Sequence, residues 1–386
     1  MGVGAAGLLP VSLTVVADLY SLRERARIQG LFSSIWASAG LLGPLLGAWL
    51  TVSFGWRSIF SINLPLGVAA LVLVATQMRE SRAARPRPFD LGGAVLLALS
   101  VSALLAATLH GGASDSLPVG ARVGLLALAV AAGLLLARLE QQAEHPLLQP
   151  SLFTRRETAA PYLAGVLLGT TIFGIDTFVP LFVQGARGGT ATAAGAVVTP
   201  VVLMWAVSAG LAARGIVAFG FRTVARFGAV LVLSGLAALV VAAEHGAGVL
   251  AISLACALVG TGLGPSSLAQ VLAVQQAASE RERGVATSLV PFARTVGGSV
   301  GVGALGGLFS AALALRLGPA AATAGQFLTG QAPAGSSRAV APVALRVGIA
   351  DSLLPVFYLL AVLAVANLVV AGFFPGRATA SPPAPS

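Results

Sequence analysis

The sequence predicts an all-α protein that crosses a membrane many times. Three observations carry that class: an apolar composition, a series of apolar runs each long enough to span a bilayer, and arginines gathered in alternate gaps between the runs.

Of 386 residues, 57% are hydrophobic and 9% are charged, and the mean hydropathy is +0.92. A water-soluble chain carries roughly 25% charged residues to cover its surface, so a single compact soluble core is excluded. The net charge of +10 comes entirely from arginine, for the chain has no lysine. Those arginines sit between apolar runs, which suits a topology signal better than a basic nucleic-acid footprint. No nucleic-acid partner is expected. Cys256 lies alone inside an apolar run and offers neither a disulfide framework nor a metal knuckle. Residues 1–7 are apolar and lack the basic n-region of a cleavable leader. The Ala/Gly/Arg-rich usage fits a high-GC bacterial genome.

A membrane helix needs about 20 apolar residues and satisfies its own backbone. On that template eleven spans are read, at 1–20, 29–52, 56–78, 90–110, 120–138, 159–184, 193–213, 225–243, 248–275, 285–312 and 351–375. One set of alternate gaps carries 16 arginines, from Arg23, Arg25 and Arg27 through to Arg377. The other set carries 6, three of them in the loop 313–350. Arg294 alone falls within a span. This asymmetry predicts a cytoplasmic C-terminus and an outward-facing residue 1. The Pro/Ala/Ser-rich tail 376–386 reads as disordered.

A shift of 258 positions superposes Gly2 on Gly260, Gly4 on Gly262, Gly40 on Gly298 and Gly43 on Gly301 without a gap. It also lays Arg23-Glu24-Arg25 on Arg281-Glu282-Arg283. Both copies run in the same direction, the parallel repeat of a two-half transporter. The second copy is preceded by three spans within 159–243, so symmetry predicts three further helices ahead of residue 1. The spans 90–110 and 120–138 have no counterpart and read as an insertion. The expected units are an incomplete N-terminal bundle at 1–78, two linker helices within 79–158 and a six-helix C-terminal bundle at 159–375.

Residues 29–67 resemble the major facilitator superfamily through Gly30, Ala39, Gly43-Pro44, Gly47-Ala48, Trp56-Arg57, Phe60 and Asn63-Leu64-Pro65-Leu66-Gly67. More narrowly, they are similar to the fourteen-helix drug:proton antiporter branch, the EmrB/QacA type. Two glycines of that family's antiporter motif are Ala39 and Ala48 here. Phe89-Asp90-Leu91-Gly92, His145-Pro146-Leu147-Leu148, Pro180 to Gln184, and Arg283-Gly284-Val285-Ala286 with Arg294 to Gly298 extend the likeness over 1–375. The resemblance implies a major facilitator-type two-bundle transporter with about 11 helices present: three of the N-terminal bundle, two inserted and six of the C-terminal bundle. It implies export of a small organic, often cationic, drug or antibiotic in exchange for protons across a bacterial inner membrane. Two rival readings are a proton-coupled carrier of another solute and a transporter remnant that does not cycle.

Ala39, Gly43 and Gly47 recur every four residues and share one helix face, where small side chains let another helix approach. Pro44 removes a helical hydrogen bond. The motif Gly30, Ala39, Gly43, Pro44, Gly47 and Ala48 is either a hinge and seam for alternating access or ordinary packing. Arg294 is about 15 Å into the membrane, at 1.5 Å per residue from the nearest loop. Such a cation faces a cavity or acid, or snorkels to the headgroups. Its repeat counterpart is Trp36, an aromatic suited to a drug cavity. Asp176, inside 159–184, is a candidate proton carrier or an acid near outer water. Thr170, Thr171 and Gln184 on that span are candidates to line a polar path.

Asp18, Arg23, Glu24 and Arg25, with Glu282 and Arg283, are candidates for a cytoplasmic gate or solvated loop charges that set topology. His110, His145 and His245 are scattered, and no metal-ligand spacing or Walker loop is present. No cofactor, metal or enzymatic chemistry is expected, and the expected state is a monomer in the bilayer.

Overall fold

The computed structural model describes residues 11–17, 19–55, 57–77, 90–108, 117–142, 148–279, 282–329 and 343–376. Helix α1 is Leu22–Phe54, α2 Ser58–Ser61, α3 Asn63–Gln77, α4 Leu91–Thr108, α5 Val119–Gln142, α6 Ser151–Thr154 and α7 Arg156–Leu181. There follow α8 Ala191–Phe219, α9 Phe221–Glu244, α10 Val249–Ala277, α11 Arg283–Leu317, α12 Ala320–Thr329 and α13 Val343–Ala371. A π-helical turn, Phe182–Ala186, continues α7 just past Pro180, which has no N–H to donate. No strand occurs among the described residues.

Nine helices among the described residues are long and apolar enough to cross a membrane, and they coincide with nine of the predicted spans. Helix α1, at 33 residues, coincides with a tenth. The span 1–20 lies mostly outside the described residues, although 11–17 are helical.

Six helices form one packed group. Helix α10 lies between α8 and α9, α11 and α13 flank α7, and α9 meets α13. Lipid offers no hydrophobic drive for helices to associate, so close backbone approach and internal hydrogen bonds must do it. The seam of α7 with α11 shows how. Gly165 and Gly169 lie against Ala293 and Arg294, while Gly297, Gly298 and Gly301 receive Val166, Phe173 and Thr170. A Cβ at Gly169 would collide with the carbonyl oxygen of Arg294. Thr170 donates across this seam to Gly297 O at 2.9 Å, and Tyr162 to Ala286 O at 3.1 Å.

Helix α1 runs along α8, and α4 and α5 form a hairpin that touches α11. Asp90 opens α4 by accepting from the Gly93 N–H at 2.8 Å, and Ser100 ties α4 to α5 by donating to Ala129 O at 2.8 Å. Every residue of α3 is exposed.

Several predicted boundaries are corrected. Helix α8 runs on to Phe219, so Arg214 lies in a helix rather than a gap. A single residue, Gly220 at φ 83°, then reverses the chain into α9. Arg222 is also helical, and its Nε donates to Phe374 O at 2.8 Å. Helix α13 begins at Val343, eight residues early, and within it Asp351 forms an ion pair with Arg316 at 3.4 Å. The loop 313–350 contains α12. The carbonyls of Pro375 and Gly376 accept from the N–H groups of Arg222 and Phe221, so residue 376, assigned to the tail, is held on α9. Residues 377–386 lie outside the described residues.

Candidate functional site

Arg294 projects from the α7–α11 seam towards two other helices. Its Nη2 donates to Gln270 Oε1 on α10 at 3.0 Å, and its guanidinium carbon lies 5.8 Å from the ring centroid of Trp205 on α8. Gln270 is 0% exposed, whereas Arg294 is half-buried. The Nε of Arg294 and the Nε2 of Gln270 are buried without a hydrogen-bond partner. Ser267 and Thr287 also leave buried hydroxyls unpaired. They stand three residues before Gln270 and seven before Arg294, on the same helix faces.

Asp176 lies seven residues beyond Gly169 on α7, about 10 Å further along the axis. Its side chain is exposed and in electrostatic range of the buried Cys256 thiol on α10. On α10, Cys256 and Gln270 are 14 residues apart, about 20 Å. Arg294 and Asp176 therefore sit at different depths and form no ion pair with each other. Thr170 and Thr171 are buried, donating to Gly297 O at 2.9 Å and Leu167 O at 3.0 Å respectively. Thr170 thus serves the helix seam in this structure. Gln184 is half-buried in the π-helical turn. The side chain of Trp36 lies outside the description.

Within the motif on α1, Gly30 makes the close approach: a Cβ there would be 3.2 Å from the Gly210 Cα of α8. Ala39 and Gly43 are exposed, and Gly43 faces open space. The side-chain surroundings of Pro44, Gly47 and Ala48 lie outside the description. Helix α1 continues unbroken through Pro44.

The starts of α1 and α11 repeat one another. Glu24 Oε2 accepts from the Ser21 N–H at 2.9 Å and its hydroxyl at 2.8 Å. Glu282 Oε2 accepts from the Ser279 N–H at 3.2 Å and its hydroxyl at 2.7 Å. The Arg25 N–H meets Ser21 O at 2.8 Å, and the Arg283 N–H meets Ser279 O at 2.9 Å. The serine bonds hold both carboxyls below the usual carboxylate range, and for Glu282 the Arg155 guanidinium at 3.3 Å adds to this. Arg25 donates from Nε to Tyr20 O at 2.6 Å. Asp18 and the Arg23 side chain lie outside the described residues. Segment 11–17 reaches the second copy here: Gln275 Nε2 donates to Leu13 O at 3.3 Å.

A cavity of about 340 Å³ opens between α7 and α11, bordered by Phe153, Tyr162, Leu163, Phe292 and Val296. It is apolar and holds none of the candidate pathway, motif or gate residues. Among the described residues no group of His, Cys, Asp and Glu could hold a metal ion. Gln270 and Trp205 are the site residues that the sequence reading missed. An amide inside an otherwise apolar run was the available signal for Gln270.

Residues 1–302 match the Major Facilitator Superfamily. The chain is 30% identical to the multidrug transporter protein MdtP of Bacillus subtilis, over 80% of this chain and 57% of that protein. It is 32% identical to multidrug resistance protein 3 of the same organism, over 52% of this chain and 40% of that protein. It is 31% identical to the methylenomycin A resistance protein of Streptomyces coelicolor, over 79% of this chain and 64% of that protein. The chain spans about half the length of the curated relatives it matches. A multi-pass helical chain whose parallel repeat recurs in its helix starts, and whose first 302 residues fit one family, is placed by that match: the chain belongs to the Major Facilitator Superfamily.

Proposed function

We propose that the chain acts in a proton-coupled secondary transporter that exports drugs or antibiotics across a bacterial inner membrane, with its C-terminus in the cytoplasm. The observation that carries the reading is Asp176, an exposed carboxylate in a membrane span with no hydrogen-bond or ion-pair partner among the described residues. A carboxylate inside a membrane span can bind either a proton or a substrate, which is the exchange an antiporter needs. The drug-resistance names of the relatives support the substrate class. The arginine asymmetry supports the orientation.

In this reading the helices 159–375 rock against those of 1–78 around a midplane site. Arg294, Trp36, Gln184 and Thr171 are its pathway candidates, while Thr170 is engaged in the α7–α11 seam. The Gly30–Gly210 approach and the Gln275–Leu13 bond bring the first copy against the helices of 159–375 at an arginine-rich end, as in a carrier sealed on that side. Glu24, Arg25, Glu282 and Arg283 belong to that seal, with Asp18 and Arg23. The fourteen-helix drug:proton antiporter branch fits the two inserted helices α4 and α5.

The mechanism is tested by ethidium efflux driven by a proton gradient, comparing the wild type with Asp176→Asn. Loss of gradient-dependent efflux in the variant is expected. Unchanged efflux would remove Asp176 from the proton path.

A further inference from the structure

The unpaired groups around Arg294 share one chemical character. Arginine can only donate, so the Gln270 atom that meets its Nη2 must be the amide oxygen. The orphan left on Gln270 is therefore the NH2 donor, and the orphan on Arg294 is a second donor, the Nε–H. A buried donor left unpaired keeps its full desolvation cost. Among the described residues no carboxylate pairs with Arg294. The ion pairs Arg155–Glu282 and Arg316–Asp351 lie elsewhere, and Asp176 stands about two turns along α7. A cation deep in a membrane bundle calls for an acceptor.

Two donors that flank an existing hydrogen bond, one of them cationic, suit a two-oxygen anion. The ring of Trp205 beside the guanidinium offers an apolar surface to whatever carries that anion. Arg294 is half-buried while the two orphan donors are enclosed, so an anion would reach them as the bundles rock in the transport cycle.

We propose that Arg294 and Gln270, beside Trp205, bind the carboxylate of an aromatic organic acid, which makes anionic compounds a substrate class of this carrier. The site rests on the transporter reading for its role but not for its binding chemistry. An anion there would accept from Arg294 Nε–H and Gln270 Nε2–H while the existing Nη2···Oε1 bond stays in place. The expected substrate charge thus departs from the cationic type that the family resemblance suggests.

The test is equilibrium dialysis of 2-naphthoate against 2-naphthamide, its uncharged analogue of similar shape, with the purified full chain in lipid nanodiscs. The acid should bind about tenfold more tightly than the amide, the worth of one charge-assisted hydrogen bond. Gln270→Glu supplies a carboxylate to Arg294 from within the protein, so the preference should vanish while the thermal midpoint holds or rises. Equal binding of acid and amide by the wild type would overturn the proposal, as would a preference that survives Gln270→Glu. The wild-type comparison decides the matter even if the variant fails to fold. Ethidium efflux separates the two readings. Failed efflux with the acid preference intact sinks the exporter reading alone, and active efflux without the preference sinks the anion site alone.

Discussion

Glu282 accepts from both the backbone N–H and the hydroxyl of Ser279, at 3.2 and 2.7 Å. Ser21 holds Glu24 in the same way 258 residues earlier. The sequence repeat is therefore a structural repeat at the point where each copy turns back into the membrane. A carboxylate at a helix start also meets the positive end of the helix dipole.

Acid should loosen both starts. Each carboxyl titrates below its unfolded value, so its stabilisation is complete above the usual carboxylate range and is lost as pH falls through the lower folded value. The Glu282 start should respond more, because protonation there also releases Arg155. The protection of the amides across 283–287, taken relative to the intrinsic exchange rate at each pH, should fall in wild type as pH is lowered and stay level in Glu282→Gln. A flat wild-type profile would count against this.

Ser279→Ala removes the hydroxyl that Glu282 holds and should destabilise the start of α11 by about 1 kcal/mol. A lowered thermal midpoint in detergent would register it. An unchanged midpoint would mean that the backbone bonds alone fix this turn.

The glycines on α7 and α1 should behave oppositely. Gly169→Ala drives a methyl into the Arg294 carbonyl and should cost several kcal/mol through separation of α7 and α11, on the scale of an overpacked core. Gly43→Ala meets open space and should stabilise α1 by up to about 1 kcal/mol through helix propensity. Thermal unfolding of the two variants side by side checks the contrast, and similar midpoints would contradict the seam.

Thr170→Val should cost about 1 kcal/mol by deleting the bond to Gly297 O and leave substrate affinity as it was. If affinity fell while stability held, Thr170 would belong to the pathway instead.

The spans were legible because lipid imposes a length and an apolar requirement that few other environments do. Helix ends were less so. A rule that stops a span at charge ends α8 before Arg214 and starts α13 only after Arg346, yet both arginines lie within helices. Arg294 stood out as an isolated charge in an apolar run. Its partners did not, since Gln270 is 24 residues distant and Trp205 is 89 residues distant in the chain, and only the packing of α8, α10 and α11 brings them together. Likewise, the four-residue spacing of Ala39, Gly43 and Gly47 marks a small face, but spacing does not say which helix, if any, will cover it.

Exchange of an organic compound for protons is read most directly from ethidium uptake into everted vesicles that contain the chain, under an imposed inside-acid pH gradient. Uptake should rise with the gradient, collapse on adding nigericin and fall in Asp176→Asn. Uptake that is the same with and without the gradient would contradict it.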